Sequence, residues 1–173
     1  MPAASHLSGS LRFSRGFSLR LLEELDAEED WVFKATYQSN HALWFAGHMG
    51  ATDNGAIGWI DPGRALVRDD YSEKFAMGSK PVSELSAYPP IDEVRAWMDE
   101  RRKVLLELVD PLSEADLASP PRGPAPPFIA NIESAIQFVI WHEGMHVGQI
   151  TVAHRAMGYA PFIGRPDGEP TGF

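Results

Sequence analysis

The sequence predicts an all-α fold, a four-helix bundle with long loops between helices two and three and between helices three and four. Apolar residues recur at spacings of three and four along four segments, and no segment alternates apolar with polar residues as a half-buried strand does. Between the last two segments, Ser119-Pro120-Pro121-Arg122-Gly123-Pro124-Ala125-Pro126-Pro127 cannot be helix or central strand, because proline lacks the amide donor and fixes its own dihedral. A length of 173 residues and 44% apolar content fit a single domain over 1–173 with a substantial core.

In order, Leu7, Leu11, Phe13, Phe17, Leu21 and Leu25 outline a first helix from Ser5 to about Asp26. Arg12, Arg15 and Arg20 read as its solvated face, with capture of an anionic substrate as the functional alternative. The acidic connection over 26–38 is pinned to the core by Trp31, Phe33 and Tyr37. Ser39 or Asn40 can cap a second helix from His41 to about Ile60. Its inward stripe is His41, Trp44, Phe45, His48, Thr52, Gly55, Ala56 and Trp59. Gly47, Gly50, Gly55 and Gly58 cost ~1 kcal/mol each relative to alanine, which implies close helix packing or room kept for a ligand. Residues 64–90 show no sustained period and read as a long loop of the kind that serves as a lid. A third helix, Ile91–Val109, turns Val94, Trp97, Met98, Leu105, Leu108 and Val109 inward and presents Glu100, Arg101, Arg102, Lys103 and Glu107 to solvent. The fourth runs from about Ile129 to Met157, with Ala135, Val139, His142, His146, Gln149, Ile150 and Ala153 on one face. Gly158 ends it, and Pro161–Phe173 reads as a tail.

The chemistry concentrates in Trp141-His142-Glu143-Gly144-Met145-His146. Two imidazoles at i, i+4 leave one helical face a turn apart and can close on a single metal ion. Such a site needs a further ligand, and His48, in the middle of the second helix's inward stripe, is the strongest candidate. Three histidines from two helices would leave coordination positions open, as catalytic metals need. The alternative is a core histidine with its hydrogen bonds satisfied. For the pair that alternative buries two imidazoles with few polar partners nearby in sequence, which costs free energy unless something binds them. His41 lies ~10 Å along the helix from His48, too far to share an ion, so it faces substrate, supports a ligand or is exposed. With Trp44 and Thr52 it makes up the candidate substrate-binding set. Glu143 leaves the helix ~100° around from His142, so a surface or supporting role stands beside a catalytic one. Gln149 can orient a substrate or make a buried hydrogen bond. His154, near the helix end, reads as facing solvent or the helix dipole.

His142-Glu143-Gly144-Met145-His146 also fits H-E-x-x-H, the zinc peptidase pattern in which the glutamate is general base. The extended version fails, since Gln149 and Val152 stand where a glycine and a third histidine belong. A formal charge of −9 with 15 scattered Lys and Arg argues against general nucleic-acid binding. The absence of cysteine removes disulfides and thiolate ligands, leaves a transition-metal site to His and carboxylates, and makes cytoplasmic residence the default. No run approaches the ~20 apolar residues of a membrane span.

Gly47-His48-Met49 on the second helix, His142 and His146 followed by Gly148-Gln149-Ile150 on the fourth, and the Phe75–Pro81 loop together resemble the DinB-like and YfiT-like superfamily of metalloenzymes. The resemblance spans nearly the whole chain. It implies a four-helix bundle of that type with His48, His142 and His146 as ligands of nickel or zinc. It also implies a dimer, as in many members, and low-molecular-weight-thiol-dependent transfer, isomerisation or hydrolysis of a small-molecule substrate. An external thiol would supply the sulfur that this cysteine-free chain lacks. A non-catalytic metal-binding or small-ligand-binding bundle is the reading from another class.

Overall fold

The computed structural model describes residues 4–163, and among them every regular element is helical. In chain order these are α1 (Ser5–Glu23), α2 (Ala42–Ile60), α3 (Asp69–Phe75), α4 (Ile91–Val109), α5 (Glu114–Ala118) and α6 (Ile132–Ala156), with short 3₁₀ turns at Glu28–Val32, Pro62–Arg64 and Leu85–Ala87. The four long helices pack on one another. α2 lies against α4, α6 and α3, while α1 lies against α6 and, less extensively, α4. The tail from 164 onward lies outside the described residues.

Local chemistry explains the boundaries. Neither Ser39 nor Asn40 caps α2. Instead His41 Nδ1 accepts from the Trp44 amide at 3.1 Å, supplying the side-chain acceptor that an exposed first turn lacks. α6 begins at Ile132, a few residues later than the apolar pattern suggested, because Asn131 and Ser134 form a reciprocal cap: the Ser134 amide donates to Asn131 Oδ1 at 2.8 Å and the Asn131 amide to Ser134 Oγ at 3.0 Å. At its other end Gly158 takes φ +96°, the left-handed conformation that terminates helices.

The segment over 64–90 is more structured than a loop. It carries α3, whose Tyr71 and Phe75 are buried in the core. Two aromatics four residues apart are all that marks it in the sequence, too little to make a period. Trp31 is buried as expected, but Phe33 and Tyr37 are exposed and pin nothing. Phe13, expected inside, is also exposed, because α1 turns Leu7, Leu11, Arg15, Ser18, Leu21 and Leu22 inward instead.

The core has two apolar layers separated by a charged one. The first holds Leu22, Phe45, Met49, Phe75, Trp97, Met98 and Ile150. The second holds Leu11, Ala56, Ile57, Ile60, Leu105, Ile136 and Val139. Between them each long helix contributes one ionised side chain: Arg15 from α1, Asp53 from α2, Arg102 from α4 and Glu143 from α6, all buried. Arg15 Nη2 donates to Asp53 at 3.0 Å and Nε to Glu143 at 2.7 Å. Arg102 Nε and Nη2 each donate to Asp53 at 2.9 Å, and Nη2 also to Glu143 at 2.7 Å. The remaining guanidinium donors reach backbone carbonyls, Arg15 to Met98 at 2.8 Å and Arg102 to Leu11 at 2.7 Å. Arg15 and Arg102 therefore do not belong to the solvated faces expected of them, and neither does Arg101, which is also buried. A net-neutral set in which every guanidinium nitrogen has a partner is how buried charge becomes tolerable, and pairing all four groups helps fix helix register.

Candidate metal centre

His142 and His146 flank Glu143 on α6, one turn apart, and His48 comes from α2, which packs across from it. Their ligand nitrogens all lie within 4.8 Å of one another. His142 Nε2 is 3.4 Å from His48 Nε2 and 3.2 Å from His146 Nε2. Tetrahedral ligands on metal–nitrogen bonds of about 2.0–2.1 Å stand about 3.3–3.4 Å apart, so the spacing suits one ion.

The hydrogen bonds on the far side of the rings sharpen the fit. His48 Nδ1 lies 2.6 Å from the Phe75 carbonyl, which can only accept, so Nδ1 carries the hydrogen. His146 Nδ1 meets Gln149 Oε1 at 2.9 Å, and that oxygen also accepts from Asn40 Nδ2 at 3.3 Å. Both rings in this tautomer turn Nε2 lone pairs toward His142. His142 Nε2 can donate to only one of them, which leaves lone pairs facing each other unless a cation lies between. His142 Nδ1 is buried without a hydrogen-bond partner among the described residues. Burial, with neighbouring His146 and His48 adding to it, pushes His142 down to about 3. Burial likewise pushes His146 to about 4 and lowers His48, so all three are neutral near pH 7, the form that binds metals.

The other candidate residues divide. Trp44 is buried, its ring stacked on His48 at 4.3 Å and its Nε1 donating to Ser79 Oγ at 2.7 Å, and it does not line the cleft beside the histidines. His41 is fully buried, capping α2 with one nitrogen while Nε2 meets the Val82 carbonyl at 2.9 Å. It is not exposed and does not line the cleft beside the three histidines. Gln149 is exposed at the surface and orients His146. Glu143 is fully buried rather than on the surface, and both its oxygens are engaged, by Arg15 and Ser18 on Oε1 and by Arg102 and Ser14 on Oε2. Burial opposes its charge, but the two arginines win and hold its pKa at about 2. His154 is also fully buried, 3.1 Å from Glu24 and stacked on Tyr159, not facing solvent.

Thr52 does line a cleft. About 240 Å³ of space opens beside His48 and His142, walled by Trp59, Met77, Phe128 and Phe138, with Ser72 as its second hydroxyl. A wider surface cleft of about 560 Å³ beside Trp31, Tyr88 and Arg95 is lined by none of the three convergent histidines.

The charged layer is what reading the sequence missed, and a signal for it existed. Arg15 falls four after Leu11, Asp53 four after Met49, Arg102 four after Met98 and Glu143 four after Val139. Each therefore stands on an apolar stripe, where a charge must find partners inside.

An all-helical chain presenting three buried, convergent histidines at the edge of an apolar cleft defines the class of helical proteins able to hold a divalent ion. The chain belongs to the DinB superfamily, whose family model matches residues 10–150. It matches no curated protein.

Proposed function

We propose that the chain is a metal-dependent enzyme in which His48, His142 and His146 hold a divalent ion, nickel or zinc, and a small molecule enters the cleft beside them. The reaction class we favour is low-molecular-weight-thiol-dependent transfer or hydrolysis. The observation that carries the reading is the convergence of three neutral imidazoles whose tautomers leave lone pairs facing one another. Bound there, the ion would act as a Lewis acid, polarising a substrate and easing loss of a thiol proton near neutral pH.

The chain's own residues supply orientation and apolar packing. The Phe75 carbonyl and Gln149 hold two rings at their Nδ1 hydrogens, and Trp44 packs flat on His48. Phe138, stacked on His142 at 5.2 Å, and Trp59 give the cleft beside the site an apolar wall. The position of Glu143 speaks against the peptidase reading: a general base needs a free oxygen near the metal, and both of its oxygens are bonded in the charged layer. The packing of α1, α2, α4 and α6 supports a four-helix bundle whose long connections carry α3 and α5.

Among the described residues no helix is long and apolar enough to cross a membrane, which suits the cytoplasmic residence we propose. A homodimer would suit the exposed Phe13 on α1 and Trp141 and Val152 on α6. Size-exclusion chromatography with light scattering reads that directly.

Metal content by mass spectrometry tests the site. Wild type purified without added metal or chelator is expected to carry near-stoichiometric metal, and His146→Ala to lose it. Wild type that stays empty after reloading with nickel and zinc would refute the metal centre. Loaded protein that turns over no thiol acceptor, yet loses thermal stability on chelation, would point to the non-catalytic binding bundle instead.

A further inference from the structure

We infer that the cleft beside the three histidines takes a single-ring aromatic compound whose ring carries no charged group and rejects one of the same size that bears a carboxylate at the end away from the histidines. The inference rests on the metal-centre reading for one point alone, that the reactive end of the bound molecule faces His48 and His142.

Size comes first. A cavity of roughly 150 Å³ holds benzene, so about 240 Å³ accommodates one ring with a short substituent. The walls come next. Phe138 is the centre of an aromatic cluster, with Phe128 at 5.2 Å, Trp59 at 6.1 Å and the stacked His142 at 5.2 Å. Such a cluster offers ring faces and edges to a flat guest. The mouth is apolar too, since Met77 and Phe128 are 87% and 61% exposed. Gly55 keeps the floor open: a Cβ there would meet nothing nearer than Trp59 Cζ2 at 3.9 Å.

Charge decides the rest. Among the described residues no lysine, arginine, aspartate or glutamate lines the cleft, and its polar groups are the two imidazoles and the hydroxyls of Thr52 and Ser72. The buried cations Arg15 and Arg102 are already paired with Asp53 and Glu143. A carboxylate on the ring, at the end away from the histidines and any ion they hold, would shed water with no lysine or arginine to receive it, in a protein of net charge −9, and that desolvation is costly. One hydroxyl or carbonyl on the ring can still find Thr52 or Ser72.

The experiment is calorimetric titration of two matched probes, benzyl mercaptan and 4-(mercaptomethyl)benzoate, into zinc-loaded protein. The corresponding alcohols are titrated into chelator-treated protein, and metal content is measured on every sample. The neutral probe of each pair is expected to bind at least tenfold more tightly than its carboxylate. Gly55→Leu, which fills the space, is expected to abolish binding of the neutral probe with the thermal midpoint and zinc content retained. Met77→Arg, at the exposed mouth, is expected to narrow the preference by about tenfold. Equal or tighter binding of the carboxylates to wild type would overturn the inference, as would wild-type affinity in a folded Gly55→Leu. The two readings fail separately. Protein that takes no zinc but binds benzyl alcohol in a Gly55-dependent way keeps the inference and sinks the metal centre. Zinc-loaded protein without preference for the neutral probe does the reverse.

Discussion

Gln149 and Glu143 show how differently two polar residues on one helix serve the same site. Gln149 is exposed and fixes one imidazole through a single hydrogen bond. Replacing it with leucine should leave the fold intact and weaken metal affinity roughly 10–100-fold, as loss of a ligand's orienting partner does. Competition with a chelator of known affinity measures this, and unchanged affinity would remove Gln149 from the site. Glu143 is bonded away from the cleft, so its substitution is a matter of stability. Glu143→Gln keeps the shape but leaves two buried guanidiniums facing one carboxylate. It should cost about 3 kcal/mol or more and lower the Tm by roughly 10 °C, while zinc stoichiometry at low temperature is retained. The histidines were legible in the sequence because i, i+4 spacing is a local pattern. The partners of Glu143 were not, because Arg15 and Arg102 lie 128 and 41 residues away in the chain and no short-range period encodes such pairing.

Along the helices, glycine divides into two kinds that the sequence alone does not separate. A Cβ on Gly47 would stand 2.4 Å from the Phe75 ring, whereas one on Gly144 would meet nothing within 4 Å. Gly47→Ala should therefore destabilise by about 1–3 kcal/mol through overpacking, despite alanine's better helix propensity. Gly144→Ala should stabilise by about 0.5–1 kcal/mol. Denaturant unfolding of the two variants checks both signs. The long helices themselves were readable, since each carries an apolar stripe of sufficient length. α3 was not, because seven residues give too few turns for a period to emerge. The stripe assigned to α2 was shifted for a related reason. The first half of that helix is buried all round, so hydrophobicity there marks no face, and farther along Thr52, Gly55 and Trp59 border the cleft while Asp53, Ile57 and Ile60 are inside.

At the scale of the whole molecule, acid should unfold the metal-free protein in two stages. His41 is pushed down to about 4, first by burial, from an ordinary value near 6.5. The unfolded chain then binds the extra proton between those values, so stability is full above pH 6.5 and falls as the pH drops toward 4. His142 and His146 act in the same direction. Glu143, held at about 2 against an ordinary 4.5, contributes above pH 4.5 and loses its contribution as the pH falls toward 2. Denaturant midpoints of chelator-treated protein should hold steady from pH 8 to about 6.5 and decline from there to pH 3. In His41→Asn, which keeps a capping side chain, the decline between 6.5 and 4 should be shallower and the later one unchanged. A flat profile between pH 6.5 and 4.5 would show that His41 is not held neutral.

The acceptor that aims His48 is a main-chain oxygen, and a main-chain oxygen survives every substitution at its own position. Any amino acid at 75 would still present that carbonyl, so the aim of His48 is written into the path of the backbone between α2 and α4 rather than into one side chain. His146 has no such insurance, because its acceptor belongs to a glutamine that one mutation can delete. The two helices thus carry unequal mutational risk. Random mutagenesis should find single-residue lesions that misdirect His146 far more readily than lesions that misdirect His48, unless they reroute the chain itself.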